Sequence, residues 1–347
     1  MSPLDAIRSE IPQANTTHDK VDETREVLKT RILTLNECAW ENRIKWTTVE
    51  TWLNNFDGSS GVSDDLEKIH ALFLLSRFLY FGSLEIRVLL RALYRDLVYL
   101  PLLQTVTAQL SKPTDQDILD GIRRELMFTR FLGVGTPSES GVHLLYFFRQ
   151  ENGLSKEHFL DQAQLLAPTP LGAARRYSLR YPQLKRLVFV DDVCGSGETA
   201  VRYSEGSILT EVLSLKADIE LAYYSLFATT VGLKRVREDS CFADNTDAVF
   251  ELNNTYRCLS DDSRYITVMK EPITQDILTK VARHYGELLT GNPLHALGYE
   301  DSQLLFGFHH NTPDNTLPII WAERENGAKV NWTPIFRRYP KIVGMGL

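Results

Sequence analysis

The chain has 347 residues, with 38 lysines and arginines against 45 aspartates and glutamates, and a formal net charge of −7. This length allows a large buried core and predicts about two domains, and the acidic balance argues against a protein whose whole surface binds nucleic acid, although a local basic patch is compatible with it. Four scattered cysteines without a Cys-x-x-Cys pair argue against a zinc module or a disulfide framework and fit a reducing cytosol: Cys38, Cys194, Cys241 and Cys258.

The first third of the chain is predicted to be mostly helical. The N-terminal segment carries charge early and has no apolar stretch, so we expect no signal peptide. The longest apolar region, residues 69–100, is interrupted by charged residues, so we expect no membrane span and no membrane partner. The predicted helices cover residues 21–52, 66–79, 84–98 and 114–131, the last opened by the pair Thr114 and Asp117.

The pattern changes near Arg130, where strands begin to alternate with helices. This alternation predicts an α/β fold of the parallel type, with helices on both faces of the sheet. We expect an N-terminal helical region over residues 1–115 and an α/β domain over residues 116–347. The predicted strands cover residues 131–135, 186–190, 219–228, 248–252, 304–308 and 317–321, with helices to about Gln150, from about Thr199 and over residues 272–290.

The motif with the clearest chemistry is LVFVDDVCGSGET, Leu187–Thr199. Its four apolar residues predict a central strand that ends in the acids Asp191 and Asp192, and a loop of small residues then leads into a helix. Such a loop directs backbone N–H groups and a helix N-terminus at one place, which favours an anion. Two adjacent carboxylates suit ribose hydroxyls or a bridging metal better than the phosphate itself. An ordinary buried strand and turn would explain the apolar run but not the paired acids, and no Gly-Lys-Ser/Thr is present for a P-loop.

This arrangement resembles the phosphoribosyl-diphosphate signature of type I phosphoribosyltransferases. The resemblance implies that Asp191 and Asp192 are the catalytic acids, hold the ribose 2′- and 3′-hydroxyls, and are ligands of a Mg²⁺ cofactor. Glu198 stands where many members carry a small residue, so its carboxylate must point outward or repel the ligand. The residues that the resemblance places around the 5′-phosphate are Cys194, Gly195, Ser196, Gly197, Glu198 and Thr199.

Cys194 has two interpretations. A helix N-terminus lowers the pKa of a nearby thiol and would favour a nucleophile, but we interpret Cys194 as a small neutral residue that lines the loop.

A second strand–loop–helix segment is GVGTPSESG, Gly133–Gly141. Type I phosphoribosyltransferases have an upstream loop that binds diphosphate, and this segment has the same place in the chain order. The alternative interpretation is a capped helix start. The residues that would suit a diphosphate loop are Gly135, Thr136, Ser138 and Ser140.

The pair His309 and His310 follows a predicted strand. It is a candidate for a C-terminal hood that touches a base, although a histidine pair in a polar turn is more often solvent-facing.

The segment Glu151–Lys185 is predicted to form a helix and a loop rather than the β-hairpin flap of typical type I transferases, because it shows no alternation of apolar and polar residues.

Longer blocks extend the resemblance over about residues 40–345. They resemble the phosphoribosyltransferase-like domain of bacterial conflict systems, which is associated with anti-phage defence operons, including some retrons. The likeness implies an effector that binds phosphoribosyl diphosphate (PRPP) or a related ribose 5-phosphate nucleotide and acts at ribose C1. Two alternatives stay open: a sensor of PRPP or nucleotide without turnover, and a subunit silent in a complex with a reverse transcriptase and its nucleic acid. The blocks are TWLNNFDG (Thr51–Gly58), Ile69–Gly82, FLGVGTPSESG (Phe131–Gly141) and DSQLLFGFHHNTPDNTLPIIW (Asp301–Trp321).

Overall fold

The chain divides into two compact units, and the second is inserted into the sequence of the first. Unit 1 consists of residues 1–82 and 255–347, and unit 2 is Ser83–Asn254. The expected boundary between residues 115 and 116 therefore differs from the observed division, which places residues 83–115 in unit 2. The structure is a computed structural model that describes residues 17–135, 140–170, 176–323 and 328–339.

The first part of unit 1 consists of three helices followed by one short strand. The predicted helix over residues 21–52 is two helices, because residues 39–45 leave the helical conformation. Helix α3 packs on α1, and β1 begins four residues after α3 ends. The elements are α1 (Thr17–Cys38), α2 (Trp46–Leu53), α3 (Asp64–Leu75) and β1 (Leu79–Phe81).

Unit 2 opens with three helices that precede its sheet. The predicted capping pair is confirmed, since the Thr114 side chain accepts from the Asp117 N–H and the Asp117 carboxylate accepts from the Thr114 N–H. The helices are α4 (Ser83–Leu93), which continues into a π-helical turn (Tyr94–Tyr99), α5 (Leu100–Gln109) and α6 (Asp115–Met127).

The sheet of unit 2 has four parallel strands in the described residues, in the order β2-β5-β6-β7. Helix α7 packs on β2 and β5, and α10 packs on β6 and β7. Nearly every residue of β5 is buried, as expected for a strand covered on both faces. The α/β prediction is thereby confirmed. The elements are β2 (Thr129–Gly133), α7 (Ser140–Glu151), β3 (Leu166–Pro168), β4 (Tyr177–Leu179), β5 (Arg186–Cys194), α8 (Glu198–Ser204), α9 (Ser207–Leu215), β6 (Glu220–Thr229), α10 (Thr230–Asp239) and β7 (Thr246–Leu252).

A short antiparallel ladder separates α7 from β5, where the sequence predicted only a helix and a loop. Leu166 pairs with Leu179 and Pro168 with Tyr177, and residues 171–175 between the strands lie outside the described residues. The expectation that no hairpin is present was wrong, because strands of three residues are too short to show an alternating pattern.

The chain returns to unit 1 after Asn254. Strand β8 pairs in parallel with β1, from Leu79 with Phe306 to Phe81 with Phe308. The strand predicted over residues 317–321 is a short helix instead, with Pro318 in its first turn, where the missing N–H costs no hydrogen bond. In the described residues, no helix is long and apolar enough to cross a membrane. The last elements are α11 (Gln275–Thr290), β8 (Phe306–Phe308) and α12 (Pro318–Trp321).

Candidate functional site

The two predicted loops begin at neighbouring strands of the unit 2 sheet. Strands β2 and β5 are paired in parallel with Gly133 opposite Val190, and the Val134 N–H donates to the Val190 carbonyl at 3.1 Å. Because parallel strands end at the same edge of a sheet, the loop after β2 and the loop after β5 start side by side. This edge is where ligands bind in open parallel sheets.

The acids of the signature lie inside β5 rather than beyond its end. The predicted strand stopped at Val190, but the ladder with β6 continues through Asp191 opposite Ser225 to Cys194 opposite Ala228. Asp191 and Asp192 are 8% and 6% exposed. The sequence pattern missed this extension because two acids in succession are rarely buried without partners.

Asp191 is held by two donors. The Tyr223 hydroxyl of β6 donates to Oδ2 at 3.0 Å, and the Asp192 N–H donates to Oδ1 at 2.9 Å. Burial raises the pKa of Asp191 well above its usual value, and the charge of Asp192 raises it further. Burial, followed by the charge of Asp191, also raises the pKa of Tyr223. Tyr223 is a site residue that the sequence did not indicate, since it occupies an unremarked position in an apolar strand.

The loop after β5 turns sharply at Gly197. This residue has φ +78° and stands at the N-cap of α8, in the left-handed region that glycine adopts without strain. Helix α8 has seven residues, so backbone N–H groups and hydroxyls of the loop, rather than a long helix dipole, are the donors available to an anion. Thr199, in the first turn of α8, is exposed.

Glu198 does not occupy the middle of this loop. Its Oε1 atom accepts from Arg202, one turn further along α8, at 2.9 Å, and the Arg202 side chain is 69% exposed. The ion pair directs the carboxylate along the helix towards solvent, which is the first of the two alternatives that the sequence left open.

Cys194 is 2% exposed, and burial raises the pKa of its thiol to about 12. The thiol is therefore protonated at neutral pH, which fits a lining residue better than a nucleophile.

The start of helix α10 contacts the loop of residues 194–199 from the side. The Thr229 hydroxyl donates to the Gly195 carbonyl at 2.6 Å and accepts from the Gly232 N–H at 2.9 Å. A Cβ atom at Gly232 would lie 2.3 Å from the Gly195 oxygen, so only glycine fits there. Neither Thr229 nor Gly232 was predicted, although a glycine in the first turn of a helix signals a close approach of two backbones.

The loop after β2 is built in a similar way. Gly135 has φ +100°. A Cβ atom at Gly133 would lie 2.5 Å from the Val142 nitrogen, and one at Gly141 would lie 2.6 Å from the Val134 oxygen. The start of α7 therefore touches the end of β2 with no room for a methyl group. Of the other predicted diphosphate residues, Ser140 begins α7, and Thr136 and Ser138 lie outside the described residues.

The predicted hood histidines belong to unit 1, directly after β8. The His309 N–H donates to the Phe81 carbonyl at 2.9 Å, and the His310 ring stacks on Phe308 with centroids 5.2 Å apart. Both take part in the packing of unit 1 itself, and a contact with a base stays a prediction.

Asp191 and Asp192 are the residues that suit a divalent cation. Carboxylate oxygens are the ligands that Mg²⁺ prefers, and Mg²⁺ is usually bound by one or two carboxylates together with phosphate oxygens of a substrate. In the described part of the chain, no three His, Cys, Asp or Glu side chains form a metal cluster. Two carboxylates are the donors that a cation held partly by a phosphorylated ligand would use.

Solved phosphoribosyltransferases resemble part of this structure. The xanthine-guanine-hypoxanthine enzyme of Helicobacter pylori is 13% identical over 50% of this chain and 86% of its own, with a TM-score of 0.21. The orotate enzyme of Aeropyrum pernix is 13% identical over 40% and 77%, with a TM-score of 0.20. The adenine enzyme of Trypanosoma brucei, solved with AMP, pyrophosphate and ribose-5-phosphate, is 14% identical over 46% and 74%, with a TM-score of 0.22.

No protein with a curated description matches the chain. The sequence model of one family, PRTase-CE, matches residues 49–338, which span most of unit 1 and all of unit 2. The chain belongs to the PRTase-CE family.

Proposed function

We propose that this chain binds PRPP or a related ribose 5-phosphate nucleotide and transfers or cleaves at ribose C1. The observation that carries the proposal is the buried pair Asp191–Asp192 on β5, next to two glycine-containing loops that leave adjacent parallel strands. Buried carboxylates need donors or cations to offset their desolvation. Ribose hydroxyls supply donors, and a cation bound beside them would supply the positive charge.

Each part of the site has a role in this proposal. Asp191 and Asp192 hold the 2′- and 3′-hydroxyls, and the loop of residues 194–199 holds the 5′-phosphate through its N–H groups. The loop after β2 holds the diphosphate. Tyr223 holds Asp191, and the contact from α10 holds the loop of residues 194–199. The groups that bind the ribose hydroxyls and the 5′-phosphate therefore keep fixed positions, which favours reaction at C1.

The reaction would be a displacement at C1. The bond between C1 and the diphosphate oxygen breaks, its electron pair leaves with the diphosphate, and a bond forms between C1 and the acceptor. Loop N–H groups stabilise the charge that develops on the leaving oxygen. When bound, Mg²⁺ would neutralise part of that charge, with Asp191 and Asp192 as its protein ligands.

Calorimetry with PRPP tests the binding site. The double variant Asp191→Asn/Asp192→Asn should stay folded and lose binding, because each hydrogen bond to a charged group contributes about 1.5–3 kcal/mol. Asp244→Asn, at an exposed aspartate of unit 2, is the matched control and should bind as the wild type does. Unchanged affinity in the folded double variant would refute the assignment.

Diphosphate release separates an enzyme from a sensor. Wild-type protein is incubated with PRPP, Mg²⁺ and a panel of bases, nucleotides and nucleic-acid ends. Release above the level of the double variant supports catalysis at C1, whereas tight binding without release supports the sensing alternative.

We further propose that the protein is an effector of bacterial anti-phage defence that operon partners hold inactive, including a reverse transcriptase with its nucleic acid. The resemblance of four sequence blocks to conflict-system domains favours this role.

Expression of the wild-type protein without its partners should slow growth of the host cell. The double variant Asp191→Ala/Asp192→Ala, expressed at the same level, should not slow growth. Equal toxicity would place the harm elsewhere on the surface, and co-elution with the reverse transcriptase on size exclusion tests the partner.

A further inference from the structure

Unit 1 contains a cavity of about 210 Å³ that shares no residue with the ribose-phosphate site. An engineered protein cavity of roughly 150 Å³ holds benzene, so this cavity has room for a ring system larger than one six-membered ring. Its lining combines aromatic rings and a carboxylate: His295, Tyr299, Trp321 and Asp314.

The aromatic part of the lining is fixed by its neighbours. His295 and Tyr299 stack with centroids 4.8 Å apart and an angle of 8° between the rings. The Trp321 Nε1–H donates to the Thr316 carbonyl at 2.8 Å, which sets the direction of the indole. The Arg338 guanidinium lies over the Trp321 ring, 5.4 Å from its centroid. The stacked rings of His295 and Tyr299 therefore supply the flat aromatic surface, and such surfaces stack on the faces of nucleobases.

The polar part of the lining defines which edge of a base would fit. The Nη2 atom of Arg338 donates to Oδ2 of Asp314 at 2.8 Å, and the Asp314 side chain is 45% exposed. A carboxylate only accepts hydrogen bonds. Among the common bases, guanine alone presents two N–H donors side by side, at N1 and N2, and so matches a carboxylate with two parallel bonds.

His295 adds a donor to the same lining. Its Nδ1 accepts from the Glu300 N–H at 3.2 Å, so the hydrogen of the neutral ring is on Nε2. A donor beside an acceptor-only group again suits guanine, whose O6 and N7 accept.

The backbone beside this cavity is strained. Glu300, Asp301 and Gln303 have φ of 51°, 57° and 54°. Such non-glycine residues cost free energy and cluster at ligand sites. The Arg257 guanidinium holds Asp301 at 2.6 Å, and the Tyr299 N–H donates to the Asp314 carbonyl at 2.8 Å. The strained turn at residues 300–303 therefore helps to fix the spacing between Tyr299 and Asp314 in the lining.

We propose that this cavity is a second ligand site, for the guanine base of a nucleoside or nucleotide. Helix α11 supplies one wall through Leu289 and Thr290. A Cβ atom at Gly286 would lie 1.8 Å from the Ala296 oxygen, so the helix is in backbone contact with the residue that follows His295. The site is thus built on regular structure and not only on a surface loop.

Calorimetry with 9-ethylguanine and 9-ethyladenine tests the proposal on the full chain. These probes lack ribose and phosphate, so they do not engage Asp191 or the phosphate loops. We expect saturable binding of 9-ethylguanine and at least about tenfold weaker binding of 9-ethyladenine. No saturable heat at millimolar concentration, or equal affinity for both bases, would overturn the proposal.

Variants locate the binding. Asp314→Asn should weaken 9-ethylguanine binding about tenfold or more, and Asp276→Asn, an exposed aspartate of unit 1, should not. Ala328→Leu places a larger side chain in the lining of the cavity and leaves Asp314 unchanged, and it serves if Asp314→Asn does not fold. Unchanged binding in the folded variants would refute the site. The double variant Asp191→Asn/Asp192→Asn should bind 9-ethylguanine normally, and a loss there would refute the separation of the two sites.

Discussion

Tyr223 and Asp191 depend on each other. The tyrosine is 1% exposed, and its hydroxyl donates to the carboxylate of the neighbouring strand at 3.0 Å. Burial of either polar group without the other would leave an unsatisfied hydrogen-bonding group in the sheet. Tyr223 therefore acts as a positioning residue for the acid that we assign to the ribose.

Tyr223→Phe should lower the free energy of unfolding by about 1–3 kcal/mol, because the Oδ2 atom of Asp191 loses its donor inside the protein. Affinity for PRPP should fall as well, since the carboxylate is no longer held. Urea denaturation and calorimetry measure the two effects. Tyr224→Phe, at the next residue of β6 and on the opposite face of the sheet, is the control and should change little. Equal losses in both variants would argue against a positioning role.

Elements that carry a local signal were predicted well. The apolar run of β5, the Thr114–Asp117 cap and the glycines of both loops are each readable within a few residues. The contacts that complete the site join separate elements. The Tyr223 hydroxyl of β6 donates to Asp191 of β5, and Gly232 of α10 packs against the backbone of the loop of residues 194–199. Such contacts depend on strand order, which one sequence does not reveal.

The same limit explains the two wrong elements. The apolar run at residues 317–321 fits a strand or a helix equally, and only its packing decides. The three-residue strands β3 and β4 depend on each other for hydrogen bonds, so neither has a pattern of its own.

Gly232→Ala tests the clamp, that is, the contact of α10 with the loop of residues 194–199. A methyl group would lie 2.3 Å from the Gly195 oxygen and 2.8 Å from the Cys194 oxygen, so the loop or the helix must shift. We expect a loss of about 1–3 kcal/mol in unfolding free energy and weaker binding of PRPP. In Gly206→Ala, where the new Cβ meets the Tyr203 oxygen at 3.1 Å, both effects should be smaller. Denaturation and calorimetry on the same samples decide between a clamp and a passive contact.

His70 links α3 to α11 in unit 1. Its Nδ1–H donates to the Leu66 carbonyl at 2.6 Å, and its Nε2 accepts from the Thr274 N–H at 3.1 Å, at the N-cap of α11. Burial lowers the pKa of His70 from 6.5 to about 4. The unfolded chain therefore binds a proton that the folded chain excludes.

The resulting stability is complete above pH 6.5 and is lost as the pH falls towards 4, and it amounts to about 3 kcal/mol. His70→Gln keeps an acceptor that does not titrate, so its unfolding free energy should vary less between these pH values. His284→Gln, at a half-buried histidine of α11, is the matched control for the same replacement. Denaturant titrations at several pH values measure this, and parallel curves for all three proteins would contradict the prediction.

At the scale of the whole molecule, the residues of unit 2 are inserted within the sequence of unit 1. Unit 1 is closed by the pairing of β1 with β8, whose residues are separated in sequence by the whole of unit 2. A sequence boundary near residue 115 follows the change from helices to strands, but helices α4 and α5 belong with the sheet that comes after them. Composition alone does not show such an arrangement.

A fragment of residues 83–254 should fold alone with one cooperative transition, because it keeps the core of the sheet together with helix α4, which packs on β6, β7 and α7. A fragment of residues 116–254 should not, since it lacks Tyr94, whose ring packs on Phe131 and Phe148 with centroids 6.4 and 6.0 Å away. Circular dichroism during thermal unfolding compares the two. Cooperative folding of the shorter fragment would favour the boundary expected from the sequence.

Strand β7 is an edge strand of the unit 2 sheet in the described residues. An outer strand offers backbone groups to which another chain can add, and charged side chains along it oppose such addition. β7 carries Asp247 and Glu251, both exposed, next to the partly exposed Phe250. We therefore expect these two acidic side chains to oppose edge-to-edge association of the sheet, and variants that lack them to aggregate at lower protein concentration.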